Sequence, residues 1–384
     1  MIPRLLRPPK RSFFLLGPRG SGKTTWSKQH FRDAARFDLL DEARYQRYLA
    51  DVASFQRELA AVPDGSWVVI DEVQRLPNLL NEVHRQIEER GLRFSLTGSS
   101  ARKLRRAGVN LLAGRAVRCT MYPLSPEELG DAFDLDRALS VGTLPIVWTS
   151  EDPEETLRAY AQLYLKEEIQ GEALVRSLPG FARFLPIAAL CHGQLVNAAG
   201  IARDAGVART TVLEYLSVLE DTLLAYRLPA FEGKLRVRER RHPKLFWIDP
   251  GIARAVTKSR GAPSPEERGR LFEGFVYMLL RLYIDLGRLP VDEVSYWAPA
   301  DAAQTEVDFV LSTGKAHVAL EVKTATRVHE PHFAGLRAVA ELPGLKRRVL
   351  LHLGTENGRT QDGIEVWSFE RFCESLARGD LVSG

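Results

Sequence analysis

Short apolar runs alternate with amphipathic stretches over the first 150 residues. The runs "SFFLL", "WVVID" and "RFSLT" read as buried strands of a parallel sheet flanked by helices. From Asp152 to about Arg227 apolar residues recur at helical spacing. Beyond Ser264 a long apolar helix leads to strands at "VSYW", "EVDFVL", "HVALEVK", "RRVLLHL" and "IEVWSF". Three tetrapeptides mark helix starts: Ser125–Glu128, Asp152–Glu155 and Ser264–Glu267. Each offers a cap oxygen, a proline at the first helical position and a glutamate at the third, where free N–H groups and the positive helix end welcome them. The pattern divides the chain into an α/β unit over 1–150, a helical unit over 151–245 and a second α/β unit over 246–384.

A chain of 384 residues accommodates two or three domains, and its 45% hydrophobic content supplies a core for each. No apolar run approaches the ~20 residues of a membrane span, so no membrane association is expected. Cys119, Cys191 and Cys373 lie far apart and form no CxxC. Neither a disulfide framework nor a cysteine metal site is expected, which points to a cytoplasmic protein. The net charge of +4 is modest, but it is unevenly spread. Arg227, Lys234, Arg236, Arg238, Arg240, Arg241 and Lys244 face only Glu232 and Glu239. This segment is either a solvated loop or an edge that contacts phosphates.

Between the first strand and its helix lies Gly17-Pro18-Arg19-Gly20-Ser21-Gly22-Lys23-Thr24-Thr25, a match to G-x-x-x-x-G-K-[ST] in its proper strand–helix context. Glycines let backbone N–H groups converge on phosphate oxygens at a positive helix end. Lys23 is expected at the β- and γ-phosphates of ATP, and Thr24 on Mg²⁺. The strand "WVVID" ends in Asp71-Glu72. Asp71 suits the metal ion and Glu72 the polarisation of an attacking water. Thr97 and Ser99, after the third strand, are placed to sense the γ-phosphate. Arg115 is an arginine-finger candidate, for its own site or for a neighbour's in a homo-oligomer.

As a set, "GPRGSGKTT", "VVIDEVQRLP", "SLTGSS", "LAGR", "YPLSPEEL", "KLFWIDPGIA", "LFEGFVYMLL", "EVDFVL" and "LEVKTA" resemble prokaryotic AAA-type ATPases with a C-terminal nuclease-like domain. The resemblance implies an α/β chain: a P-loop AAA-type parallel-sheet domain, a helical winged-helix middle and a restriction-endonuclease-like C-terminal domain.

In the middle unit, "NAAGIARDAGVARTTVLEYLSVLEDT" reads as helix, glycine turn, helix. Ile201, Ala202 and Ala205 face inward and Gly206 makes the turn, while Val212, Leu216 and Leu219 line the second helix. Arg209, Thr210 and Thr211 stand where a recognition helix would meet DNA. The segment carrying Arg236, Arg238, Arg240 and Arg241 would form the wing, or the module serves packing alone.

The stretch "TEVDFVLSTGKAHVALEVKTA" reads as a hairpin closed by a type II′ turn at Gly314-Lys315. Alternation then sets Val307 against Val322, Phe309 against Leu320 and Leu311 against Val318. On the other face Asp308 opposes Glu321, and Glu306 opposes Lys323. A Thr313-Gly314 loop would instead put Glu306 against Glu321. Opposed like charges destabilise a hairpin unless a cation lies between them, which argues for Mg²⁺, or Mn²⁺, at Asp308 and Glu321. Lys323 would orient a water or stabilise developing charge. The spacing resembles the PD-(D/E)xK nuclease core without its proline, and Glu273 in "GRLFEGFVYMLLRL" supplies that core's helical acid. The expected function is an ATP-hydrolysing switch coupled to a metal-dependent nuclease acting on DNA or structured nucleic acid. The alternative is an ATPase whose nuclease-like domain only binds nucleic acid or a protein.

Overall fold

The three apolar runs of the N-terminal unit become strands β1 (Phe13–Leu16), β3 (Trp67–Asp71) and β4 (Arg93–Gly98), buried along almost their whole length. The computed structural model describes residues 2–100, 114–164, 177–232, 240–299 and 305–382. Two further strands, β2 (Ala35–Asp38) and β5 (Val117–Thr120), close the sheet in the order β2-β3-β4-β1-β5, with every pairing parallel. These are the edge strands. Their half-polar sequences "ARFD" and "VRCT" lack a continuous apolar run because one side of each is uncovered. With β4 between β1 and β3, the C-terminal ends of all three strands meet at one sheet edge, where ligands bind in open α/β sheets. Helix α1 (Lys23–His30) starts there. Helices α2 (Glu42–Ala50), α3 (Val52–Ala60) and α4 (Leu79–Arg90) complete the layers.

All three capped starts are realised. Ser125 caps α5 (Pro126–Leu129) with a full capping box, Asp152 caps α8 (Pro153–Ala159), and Ser264 caps α13 (Pro265–Asp285). Between the first two lie α6 (Leu135–Val141) and α7 (Pro145–Trp148).

The middle unit runs α9 (Leu178–Leu190), β6 (Gln194–Leu195), α10 (Ala198–Ala205), α11 (Arg209–Asp221), β7 (Ala225–Leu228) and β8 (Lys244–Trp247). Its strands form an antiparallel sheet in the order β6-β8-β7. Ile201, Ala202, Ala205, Val212, Leu216 and Leu219 are all buried, and Gly206 takes φ +63°, the left-handed conformation that ends α10. Helix α12 (Pro250–Thr257) follows β8 and packs on α6 and α9.

The C-terminal sheet has the order β13-β14-β12-β11-β10-β9. Its strands are β9 (Glu293–Trp297), β10 (Val307–Thr313), β11 (Ala316–Val322), β12 (Leu345–His352), β13 (Gly358–Arg359) and β14 (Glu365–Ser368), with α14 (Ala334–Ala338) and α15 (Phe369–Arg378) against it. The hairpin register is the one expected, with Phe309 opposite Leu320 and Leu311 opposite Val318. Gly314 has φ +57° and Lys315 does not have positive φ, as a type II′ turn requires. One detail differs. A register shift against β9 between Val307 and Val310 places Val307 in a cluster with Val310 and Ala319, away from Phe309 and Leu311.

The units are not beads on a string. The stems of the β7–β8 connection lie along β9: the Phe231 N–H donates to Tyr296 O at 2.6 Å and the Arg240 N–H to Ala298 O at 3.0 Å. Helix α13 reaches back to the first unit. Asp285 accepts from the Tyr122 hydroxyl at 2.7 Å, and Glu127 accepts from Tyr283 at 2.6 Å and pairs with Arg288 at 2.9 Å. One apolar cluster runs through all three units.

Candidate functional sites

At the phosphate loop the chain bends tightly enough to exclude side chains. A Cβ on Gly17 would lie 2.5 Å from Met121 O and one on Gly20 2.6 Å from Ile146 Cγ2, while Gly20 and Gly22 take φ +79° and +90°. Lys23 is buried and its ammonium donates to Gly17 O at 2.7 Å and Pro18 O at 3.1 Å. The Ser21 hydroxyl oxygen is buried with no hydrogen-bond partner. Thr24, Thr25 and Arg19 are exposed at the loop and first turn, and Pro18 is buried. A glycine cradle, a helix N-terminus, a lysine and an orphaned hydroxyl suit a nucleotide polyphosphate. Arg4 braces the loop from outside, donating to Ser21 O at 2.9 Å and pairing with Glu128 at 2.9 Å.

Asp71 ends β3 almost fully buried and accepts from the Thr97 hydroxyl at 2.8 Å. Burial pushes its carboxyl up, and the Thr97 hydrogen bond partly opposes this. Glu72 has φ +58°, a left-handed conformation that costs a non-glycine residue on the order of 1–3 kcal/mol. Gln74, which carries no motif of its own in the sequence, explains its orientation: the Gln74 amide donates to the Glu72 carboxylate and, at 3.2 Å, to Ser99 Oγ. Thr97, Ser99, Asp71 and Glu72 therefore meet at the sheet edge beside the loop. Arg115 lies elsewhere. It precedes Val117, which pairs with Phe13 at the end of β1 opposite the loop, and it forms an ion pair with Glu88 of α4. A finger role at its own phosphate site does not suit that placement.

The second cluster forms in the C-terminal unit. Asp308 and Glu321 are buried at adjacent positions of β10 and β11: the Asp308 N–H donates to Glu321 Oε2 at 3.3 Å and the Val322 N–H to Asp308 Oδ2 at 2.9 Å. Lys323 forms an ion pair with Glu321 rather than with Glu306. Glu273 on α13 joins them. Its partner is Lys244, and Arg270 pairs with Glu266 one turn earlier. Lys244 begins β8 and is 3% exposed. Its ammonium lies 2.8 Å from Glu273 Oε1 and 3.6 Å from both Asp308 Oδ1 and Glu306 Oε1. Part of the basic segment expected at a nucleic acid is thus turned inward. The pattern of β8 holds the signal: Lys244 alternates onto the side of Phe246, which packs on Tyr277 and Phe309.

Burial pushes Glu273 up, with Lys244 opposing and Asp308 and Glu306 adding to the rise. Burial and the charge of Asp308 push Glu321 up, against Lys323. Burial alone would depress Lys244, but Glu273, Asp308 and Glu306 outweigh it and hold the ammonium charged. Among the described residues no group of three or more histidine, cysteine or acidic side chains is arranged to hold a metal ion. The oxygens of Asp308 and Glu321 are turned to N–H groups and lysines. The donors are hard oxygens of the right kind, and the cation among them is Lys244.

Arg209 and Thr210 are exposed at the start of α11, and Arg241 is exposed near the start of β8, with Arg240 half-buried. Arg236 and Arg238 lie outside the described residues. Arg227 pairs with Glu220.

Residues 9–130 match the family described as AAA domain, residues 132–262 a domain of unknown function (DUF8612), and residues 268–372 another domain of unknown function (DUF4143). The N-terminal unit is a P-loop ATPase domain of the AAA type. The limits expected at 150 and 245 both fall inside the second match. An uncharacterized protein of Mycobacterium tuberculosis is 28% identical over 309 residues, 78% of this chain and 67% of that one. Another, of Haemophilus influenzae, is 24% identical over 275 residues, 66% of this chain and 68% of its own length. Among solved structures, the Aeropyrum pernix ORC1 protein in complex with DNA aligns over 65% of this chain and 87% of its own, at 13% identity and a TM-score of 0.26. Can2 from Sulfobacillus thermosulfidooxidans in complex with cyclic tetra-adenylate aligns over 96% and 98%, at 13% identity and a TM-score of 0.23. Superpositions that loose say nothing of shared architecture. No described helix is long and apolar enough to cross a membrane.

Proposed function

We propose that this chain is an ATP-hydrolysing switch whose C-terminal unit carries a metal-dependent site for cleaving nucleic-acid phosphodiesters. The observation that carries the second half is the convergence of Glu273 from α13, Asp308 from β10, Glu321 from β11 and Lys323 just after it into one cluster. At the loop, Lys23 and the N–H groups from Gly17 to Thr25 would hold the phosphates, with Thr24 and Asp71 on the magnesium ion. Glu72, oriented by Gln74, would take the proton of the attacking water. Thr97 and Ser99 would read whether the last phosphate is present. At the second cluster, a bound divalent ion would supply charge neutralisation and a more acidic water. Asp308 and Glu321 would hold it, Glu273 would complete its surroundings, and Lys323 would steady charge on the cleaved phosphate.

The order helix–strand–helix–helix–strand–strand in the middle unit supports a winged helix, with Arg209 and Thr210 at the recognition end and the basic segment as its wing. The placement of Arg115 leaves a neighbouring subunit's site as its remaining finger role. One observation favours a second reading, in which the C-terminal unit only binds: Lys244 already supplies a cation to the acids. The deciding experiment incubates single-stranded, duplex and branched DNA and RNA with the chain, Mg²⁺ or Mn²⁺, and ATP. Cutting that disappears in Asp308→Asn while ATP turnover persists supports the cleavage reading. Nucleic-acid binding with no cutting under any of these conditions replaces it with the second.

A further inference from the structure

Lys244 is connected to the phosphate loop through a short run of residues in contact. Ile146 of α7 touches the loop: its N–H reaches Gly20 O at 3.4 Å, and a Cβ on Gly20 would press into its side chain. Three residues back, the Thr143 N–H donates to Asp249 Oδ2 at 2.7 Å. Asp249 is wholly buried and caps α12 through the Ile252 N–H at 3.1 Å. The seam is tight on both sides. A Cβ on Gly142 would lie 1.9 Å from Asp249 Oδ1, and one on Gly251 2.0 Å from Val141 O. From Asp249 the chain runs back through Ile248 into β8, whose residues are all buried, and β8 ends at Lys244 among the acids. The links are the Ile146 contact at the loop, the Asp249 carboxylate and the buried backbone of β8, and together they join the loop to the strand that seats the lysine.

The electrostatics make that seat a matter of choice between cations. Glu273, Glu306, Asp308 and Glu321 face two ammoniums, Lys244 and Lys323. A divalent ion between Asp308 and Glu321 would come close to the Lys244 charge with little water between to screen it.

We propose that Lys244 is a displaceable resident cation: it keeps divalent metal out of the Glu273–Asp308–Glu321 cluster while the phosphate loop is empty, and nucleotide in the loop loosens its seat through Ile146, Thr143 and Asp249. This rests on the proposed reading of the cluster as a metal site. The acids then become a metal site only in the nucleotide-loaded protein, which restricts phosphodiester chemistry to one stage of the ATP cycle.

The test is Mn²⁺ binding to the full chain, followed by electron paramagnetic resonance and calorimetry. The parent and Lys244→Met are each titrated with and without a non-hydrolysable ATP analogue. Asp308→Asn, made in both, subtracts the ion bound at the phosphate loop. Without nucleotide, Lys244→Met should bind Mn²⁺ at the cluster at least about 10-fold more tightly than the parent, on the scale of ordinary coupling between sites. The analogue should tighten Mn²⁺ binding in the parent and leave Lys244→Met unchanged, and Mn²⁺ should tighten the analogue by the same factor. If Lys244→Met does not fold, Lys244→Gln replaces it, since its amide still donates to Glu273 while carrying no charge. Equal Mn²⁺ affinity in the nucleotide-free parent and the lysine variant overturns the proposal and leaves the metal reading standing. So does an analogue without effect on the parent. No binding above the Asp308→Asn controls in any protein removes the metal reading itself, and this proposal with it.

Discussion

Lys244 Nζ lies 2.8 Å from Glu273 Oε1, with the two side chains only 4% and 12% exposed, so the middle and C-terminal units share a buried ion pair. Removing one member strands the other charge away from water, at a typical cost of roughly 3–5 kcal/mol. Lys244→Met should therefore be destabilised on that scale, and Lys244→Met/Glu273→Gln should recover at least about 1 kcal/mol of it. Urea unfolding of the four proteins of the cycle measures both. Additive losses would mean that the two residues do not depend on each other.

The pair Glu72 and Gln74 yields a kinetic prediction. Glu72→Gln should bind ATP as the parent does and turn it over at least about 100-fold more slowly, the contribution of a positioned base. Gln74→Ala leaves the base in place but unties it from Ser99. It should lower kcat by about 10-fold with KM unchanged, because the misorientation acts on the reacting water and not on nucleotide binding. A Gln74→Ala enzyme with parental kcat would reduce Gln74 to a packing residue.

What the sequence made legible follows from how local each signal was. The phosphate loop, the three capped starts and the hairpin register are written in a few consecutive residues, and each stands where expected. Edge strands β2 and β5 carry no continuous apolar run, so alternation alone could not find them. Glu273, Asp308, Glu321 and Lys323 were legible as a group because hairpin and helix patterns place them. Lys244 was harder to place: alternation in β8 sets it on the side of Phe246, but the acids it meets lie on α13 and β10, later in the chain. It reads with the basic segment because composition counts charges and not where they point. Gln74 was hidden for a similar reason: its two partners follow different strands, β3 and β4.

The cations of the basic segment and of the start of α11 should bind phosphates. Replacing Arg236, Arg238, Arg240 and Arg241 by Ala should weaken DNA binding and flatten its dependence on salt, by a slope of about one for each phosphate no longer neutralised. Arg209→Ala should weaken it further without altering ATP turnover, because α11 begins far from the phosphate loop in sequence and exposes that residue to solvent. Fluorescence anisotropy at several salt concentrations reads the slope. Titration curves that superimpose on the parent's would return the segment to a solvated loop.

His192 carries the clearest pH dependence. It is 4% exposed, and its Nδ1 accepts from the Trp247 N–H at 3.1 Å, three residues after Lys244. Burial depresses the ring to about 4, with a hydrogen bond to the Arg270 backbone opposing this and the charge of Arg270 adding to it. In the unfolded chain the imidazole titrates near its ordinary value of about 6.5. Between those values the unfolded state binds the extra proton, so stability is full above about 6.5 and falls as pH drops toward 4. A difference of this size corresponds to about 3 kcal/mol. His192→Asn keeps an acceptor for Trp247 but does not titrate. Its stability, relative to the parent's, should therefore improve by about that amount between pH 7.5 and pH 4, whatever other groups contribute to both proteins. Equilibrium denaturation across that range gives the difference directly. Parallel losses in the two proteins would show that the acid sensitivity of the β8 region has a source other than a neutral histidine held in its core.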